Sequence, residues 1–248
     1  MYISSDGIIL KQIKASGGRK MMTLFTRNYG KISVGSSLPE KGKSKTALAL
    51  RPFTYGTYEL YKNGDYYNMN SADVKKSFFR IGEDVDKFLY ASFAMEVTER
   101  LIPEGIPQEE IFDALIAFLE QIEDRAKSYQ TIVLAYEAKM LKLLGTFPQL
   151  DQCACCGAAE NLSAFSVKDG GMICDECRKK ANETLIYDVK FDIVDILKYF
   201  SEKPIDAFEK IALDAKIAKE LQSILREYMN YHLDLGDLKS DSIFHEKI

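Results

Sequence analysis

All 5 cysteines of the 248-residue chain lie between positions 153 and 177. Cys153-Ala154-Cys155-Cys156 and Cys174-Asp175-Glu176-Cys177 form two C-x2-C pairs with 17 residues between them. A two-residue gap lets one tight turn aim two thiolates at one ion, and a second such turn completes a tetrahedron. The separation falls inside the roughly 15–20 residues of a structural zinc site. Cys153, Cys156, Cys174 and Cys177 are therefore the expected ligands of a structural Zn2+. Gly157 supplies backbone freedom after the first turn. The intervening segments 164–167 and 170–173 read as a small hairpin presenting the second pair. Cys155 is the odd thiol. Disulfides are disfavoured in a cytosolic chain, and a redox C-x-x-C pair expects a surrounding βαβ pattern that is missing here. Four thiolates leave no open coordination position, which argues against a metal hydrolase.

The charge is unevenly spread. The whole chain has a net charge of −4, from 33 Lys and Arg against 37 Asp and Glu. Residues 1–80 hold 14 of those cations and 5 of the acids, a net of +9. The remaining 168 residues carry −13. The average points away from a polyanionic partner, whereas the first segment by itself attracts one.

The residue pattern changes at the same place. Gly7–Leu10, Met21–Thr26, Lys31–Val34 and Thr57–Tyr61 read as short strands, and the turn at Asn63-Gly64-Asp65 leads into Tyr66-Tyr67. Five strands in about 70 residues suit a small closed barrel. From residue 84 the period is helical. Phe88, Ala91, Met95 and Val97 mark one helix ending by Pro103. Pro107 reads as a first helical residue, with Glu109 and Glu110 in the positive-end turn. Ile111, Leu115, Phe118, Leu119 and Ile122 form its apolar stripe. A third helix runs from about 128 to 144, stopped by Gly145, and helical spacing returns at 193–197 and at 212–228. The fold class is multidomain α+β.

Signals for an enzyme are thin. P-loop, nucleophile-elbow and dinucleotide motifs are missing. His232 and His245 stand outside any metalloprotease pattern, and Gly17-Gly18-Arg19-Lys20 reads as a basic turn between strands. No run reaches the ~18 apolar residues of a membrane helix, and the N-terminal residues lack signal-peptide order. The expectation is a cytoplasmic binding protein with no membrane partner.

Leu24-Phe25-Thr26-Arg27-Asn28-Tyr29-Gly30-Lys31 resembles the "TLFTRExGK" strand–turn–strand of the RecO family of bacterial DNA-repair recombination mediators. Leu50-Arg51-Pro52-Phe53 resembles its "LQPF" segment. Tyr136–Leu150 is similar to its "FExKLLxxxGxxPxL" helix and exit, with the cysteine pairs following directly. The resemblance implies an N-terminal OB-fold over residues 1–80. It implies a helical domain over 81–148 and 183–248, with a zinc module, 149–182, set into it. It also implies binding of single- and double-stranded DNA, strand annealing, and recombinase loading onto strands coated by single-stranded DNA-binding protein. RecR is the implied partner, and the implied location is the bacterial cytoplasm at the nucleoid.

An OB-fold holds single strands by a basic groove and aromatic platforms. Arg19, Lys20, Arg27, Lys31, Lys41, Lys43, Lys45 and Arg51 are the expected phosphate contacts. Tyr29 is the expected stacking residue. Phe25, Phe53 and Tyr55 are further aromatics near them, with Phe25 and Phe53 reading more readily as barrel core. A zinc-ribbon module acting on RNA or in transcription is the competing class. The acidic tail of the single-stranded DNA-binding protein would need a local basic pocket, for which Arg125, Lys139 and Lys142 are candidates.

Overall fold

The computed structural model describes residues 1–14, 20–38, 45–181, 185–189 and 191–241. The chain forms two compact units. One comprises Met1–Asp124 and the segment from Leu238, and the other comprises Arg125–Asp237.

In the first unit five strands close a barrel in the order β1-β2-β3-β5-β4. They are β1 (Tyr2–Lys14), β2 (Lys20–Thr26), β3 (Gly30–Ser36), β4 (Thr54–Asn63) and β5 (Tyr66–Ser77). Neighbours are antiparallel except β3 and β5, which run parallel through Val34↔Tyr67 and Gly35↔Asn68. This is a five-stranded OB barrel. The period of two is plain in β4, where Thr54, Gly56, Tyr58 and Leu60 point inward. Ile3, Ile9, Met22, Leu24, Ile32, Val34, Tyr58 and Leu60 fill the interior. The strands are longer than their apolar segments suggest. In β1, residues 2–8 pair with β4 and residues 7–14 with β2, the latter ladder shifting register between Ile9 and Lys11. A short helix that the sequence pattern did not reveal, α1 (Lys45–Ala49), follows β3. Its Ala49 carbonyl accepts the buried Tyr58 hydroxyl at 2.9 Å.

Asp6 anchors the outer wall of the barrel. Its carboxylate accepts from Tyr55 and Thr57 at 2.9 Å each and from Lys75 at 2.5 Å. Burial alone would raise its pKa, but these donors together hold it below the ordinary 3.8.

Two helices belong to the same unit. In α2 (Val85–Leu101), the Asp84 side chain caps the Lys87 amide at 3.0 Å. Phe88, expected on the buried face, is 44% exposed and meets Phe53 edge to face at 5.5 Å. α3 (Glu109–Asp124) buries the whole expected stripe. Pro107 falls outside this helix, whose first turn is closed by the Phe112 amide donating to the Gln108 carbonyl at 2.9 Å. The β2–β3 turn seats against the segment between these helices. Gly30 has φ +67°, and a Cβ there would lie 2.2 Å from the Ile106 carbonyl oxygen, so only glycine fits. Returning chain completes the unit: Glu96 accepts from the Lys239 amide, the Ser240 amide and the Ser240 hydroxyl at 3.0, 3.1 and 2.7 Å.

The second unit is built on α4 (Tyr129–Leu143), buried from Thr131 through Ala138. α6 (Phe191–Glu202) and α7 (Ala215–Leu233) pack on it. Asp214 caps α7, which therefore starts three residues later than the spacing from Ala212 suggests. Between α4 and α6 lie β6 (Leu162–Ser166), β7 (Gly171–Cys174), α5 (Asp175–Lys180) and β8 (Ile186–Asp188). The expected hairpin is present, and β8 adds a third strand in the order β7-β6-β8. Arg125 pins this unit from within. Its guanidinium donates to the carbonyls of Lys127, Ser128, Phe208, Glu209 and Ile211.

Both anchors can be tested by stability. Arg125→Lys cannot reproduce the planar fork, and should lower unfolding free energy by about 2–4 kcal/mol in a denaturant titration. The stabilisation by Asp6 is complete above its unfolded pKa and is lost as pH falls through the lower folded value. Acid melting curves of Asp6→Asn should therefore show a shallower pH dependence than those of the parent.

Candidate metal centre and nucleic-acid interface

The four expected ligands come together. The Sγ atoms of Cys153, Cys156, Cys174 and Cys177 all lie within 4.8 Å of one another. A tetrahedron with zinc–sulfur bonds near 2.3 Å needs sulfurs about 3.8 Å apart, and Cys156 and Cys174 are at 3.8 Å. Local chain geometry produces this. The Gly157 amide closes the first turn on the Cys153 carbonyl at 2.8 Å. The Cys174 amide points at the Cys153 sulfur at 3.4 Å. Cys174 stands at the residue before α5, which sets Cys177 one turn on. Cys155 lies outside the quartet. It is exposed, and its thiol is pushed up to about 11, first by desolvation and then by Asp169.

Electrostatics within the quartet pull its thiols in opposite directions. Burial raises the Cys153 pKa, but the amides of Cys174, Cys156 and Cys155 outweigh it and bring the thiol down to about 6. Cys177 shifts upward, foremost through its hydrogen bond with Cys156 and then by desolvation. A divalent cation removes this mutual opposition, since it favours thiolate at all four positions.

The cysteine-bearing segment is fastened to its unit at several points. Gly171 passes so close to Gln149 that a Cβ would sit 2.1 Å from its carbonyl oxygen. The Met172 amide donates to the Gln149 carbonyl at 2.8 Å. His232, unassigned by the sequence pattern, places Nε2 2.6 Å from the Val167 carbonyl and stacks on Tyr228 at 4.3 Å.

The described ones among the expected DNA contacts do not form one patch. Lys20 opens β2, whereas Arg27 follows its last residue and Lys31 pairs with Phe25 near that end, roughly 16–23 Å along the strand. At that far end the barrel meets the acids of the helices. Arg27 pairs with Asp113 and, at 3.6 Å, with Glu109. Lys31 donates to the Glu99 carbonyl at 2.6 Å. Lys76 pairs with Glu120 at 2.6 Å and Arg80 with Asp124 at 2.5 Å. Each exposed pair is individually weak, but together they offset much of the barrel's positive charge there. Tyr29 is half-buried against the barrel core. Phe25 is fully buried against Phe112 at 5.3 Å, and Tyr55 meets the same ring at 5.9 Å. Arg51 is exposed after α1. Arg19, Lys41 and Lys43 lie outside the described residues, as does the side chain of Lys45. In the second unit Lys139 donates to the Ser201 carbonyl at 2.5 Å, and Lys142 lies over Phe147.

Comparison with known proteins identifies the family. Residues 1–78 match the family model "Recombination protein O N terminal", and residues 82–242 match "Recombination protein O C terminal". The chain belongs to the RecO family. A relative from Caldanaerobacter subterraneus subsp. tengcongensis, described as DNA repair protein RecO, is 30% identical over 239 residues, covering 96% of each chain. RecO proteins from Alkaliphilus metalliredigens and Bacillus pumilus are 27% and 31% identical, over 97% and 73% of this chain and 97% and 70% of their own. The cysteine quartet and the OB barrel thus sit in a chain with RecO-family sequence along nearly its full length. Among the described residues, no helix is long and apolar enough to cross a membrane.

The thiol geometry yields a prediction for this RecO-family centre. Stripping metal with a chelator should lower the melting temperature, as should Cys174→Ser, whereas Cys155→Ser should leave both metal content and melting unchanged. Protons compete for the same sulfurs, so metal retention measured by atomic emission should fall as pH is lowered.

Proposed function

We propose that this RecO-family protein is a DNA-binding recombination mediator and that Zn2+ fills its cysteine quartet as a structural ion. The observation that carries the reading is the OB barrel, built from the most basic 80 residues of a chain related along its length to DNA repair proteins. Single- and double-stranded DNA are its ligands. Two complementary strands repel one another, and a cationic surface that holds both lowers this barrier without covalent chemistry. The protein therefore anneals strands and neither makes nor breaks a covalent bond. It acts on strands coated by single-stranded DNA-binding protein, helps the recombinase load there, and works with RecR in the bacterial cytoplasm at the nucleoid.

Four thiolates fit zinc, a d10 ion that takes tetrahedral sulfur ligation without redox chemistry. Cys153, Cys156, Cys174 and Cys177 would hold it, and its contribution is to fix the segment 149–182.

The segment from the end of β3 to the first residue of α1 carries Lys41, Lys43 and Lys45 and supplies phosphate contacts. Changing all three to Glu should abolish most DNA binding while leaving the melting curve in place. The slope of log affinity against log salt should also flatten, by about one unit for each phosphate no longer neutralised. Annealing of complementary strands coated by single-stranded DNA-binding protein, followed with and without the protein, is the decisive assay. Unaltered annealing rates on adding the protein overturn the mediator reading.

A further inference from the structure

Where α2 lies along β1, the two leave a half-open groove of about 650 Å3. This is within the roughly 300–1,000 Å3 of clefts that take a ligand. Ile9 and Ile13 line it from β1, and Phe53 from the start of β4. Phe88, Ser92 and Met95 line it from one face of α2, at helical spacing. Ser92 is the small residue on that face, and its side chain is too short to fill the space between Phe88 and Met95. Phe88 and Ile13 are both exposed, so each wall leaves apolar carbon open to water.

The polar groups around the groove are already engaged. Glu99 pairs with Lys11 at 3.5 Å, and Gln12 donates to the Leu50 carbonyl at 2.8 Å. Glu96 accepts from the Lys239 amide and from both donors of Ser240. Lys239 is itself part of the lining, so the chain leaves from the edge of the groove. The Leu238 amide donates to the Asp241 carboxylate at 3.2 Å and closes the turn there. The sequence that follows is Ser242-Ile243-Phe244-His245-Glu246-Lys247-Ile248, which lies outside the described residues. At 3.3–3.6 Å per residue, Ile243 and Phe244 reach at most about 7–11 Å from Asp241. Their large apolar side chains gain by leaving water, and the groove whose edge they follow offers apolar walls. A segment tethered this closely has an effective concentration of order millimolar, so a weak intrinsic affinity suffices to keep a free peptide out.

We propose that Ile243 and Phe244 of the same chain seat in the groove between β1 and α2, against Ile13, Phe88 and Met95. The segment after Asp241 then acts as a tethered ligand, and an apolar ligand from elsewhere binds there only by displacing it.

The test compares the full chain, a chain ending at Asp241, which keeps the contacts to Glu96, and the full chain with Ile243→Asp and Phe244→Asp. The probe is a fluorescein-labelled peptide of sequence 242–248, followed by fluorescence anisotropy. It should bind the shortened and the doubly substituted chains, and the full chain at least about tenfold more weakly, because there the groove is occupied. Ser92→Trp in the shortened chain fills the groove and should abolish peptide binding, whereas Ser92→Ala should leave it intact. A second measurement needs no altered groove: p-benzoylphenylalanine in place of Phe244 of the full chain should photocrosslink to residues 88–100 within one copy. Equal binding of the peptide to the full and shortened chains, or to neither, overturns the proposal. Crosslinks that form only between two copies, or that miss residues 88–100, overturn it as well.

Discussion

The parallel contact between β3 and β5 is the link on which the barrel depends. Four of the five strand junctions are antiparallel, and three of them join consecutive strands. Val34↔Tyr67 and Gly35↔Asn68 join segments separated by more than thirty residues and α1. Without this junction the sheet has two open edges and an interior exposed along one side. With it, Val34 and Tyr58 share one buried core.

Charge is then divided along the strands. At the β2–β3 end, Arg27, Lys76 and Arg80 meet Asp113, Glu120 and Asp124, so α3 covers that end with acids. Lys14 and Lys20 stand at the opposite end of β2. The same +9 segment therefore offers two different surfaces, one spent on packing within its own unit and one at the far rim of the barrel.

Much of this architecture was legible from local pattern. The alternation in Lys31–Val34 and Thr57–Tyr61 marked strands because a barrel wall has one dry face. The cysteine spacing marked a ligand quartet because two tight turns suffice to make it. What was hidden depended on distant partners. The engagement of Arg27 is set by Asp113, 86 positions away. The rings of Phe25 and Tyr55 look available for stacking until Phe112 arrives from α3. Tyr2 meets Tyr61 only through the pairing of β1 with β4, which no window of sequence contains. α1 and α5, at 5 and 6 residues, are too short to show a helical period. The Arg125 fork closes on carbonyls more than eighty residues downstream.

The return of the chain at Leu238–Asp241 to Glu96 makes the second unit an insertion in the first. During synthesis the barrel and α2–α3 emerge early, yet the capping of Glu96 waits until residues 239 and 240 have left the ribosome. By then the whole of 125–237 has been made. A truncation after α7 would thus impair a unit more than a hundred residues upstream, and a break in either of the two crossings, near 124 and near 237, would leave the halves joined by a single strand of chain.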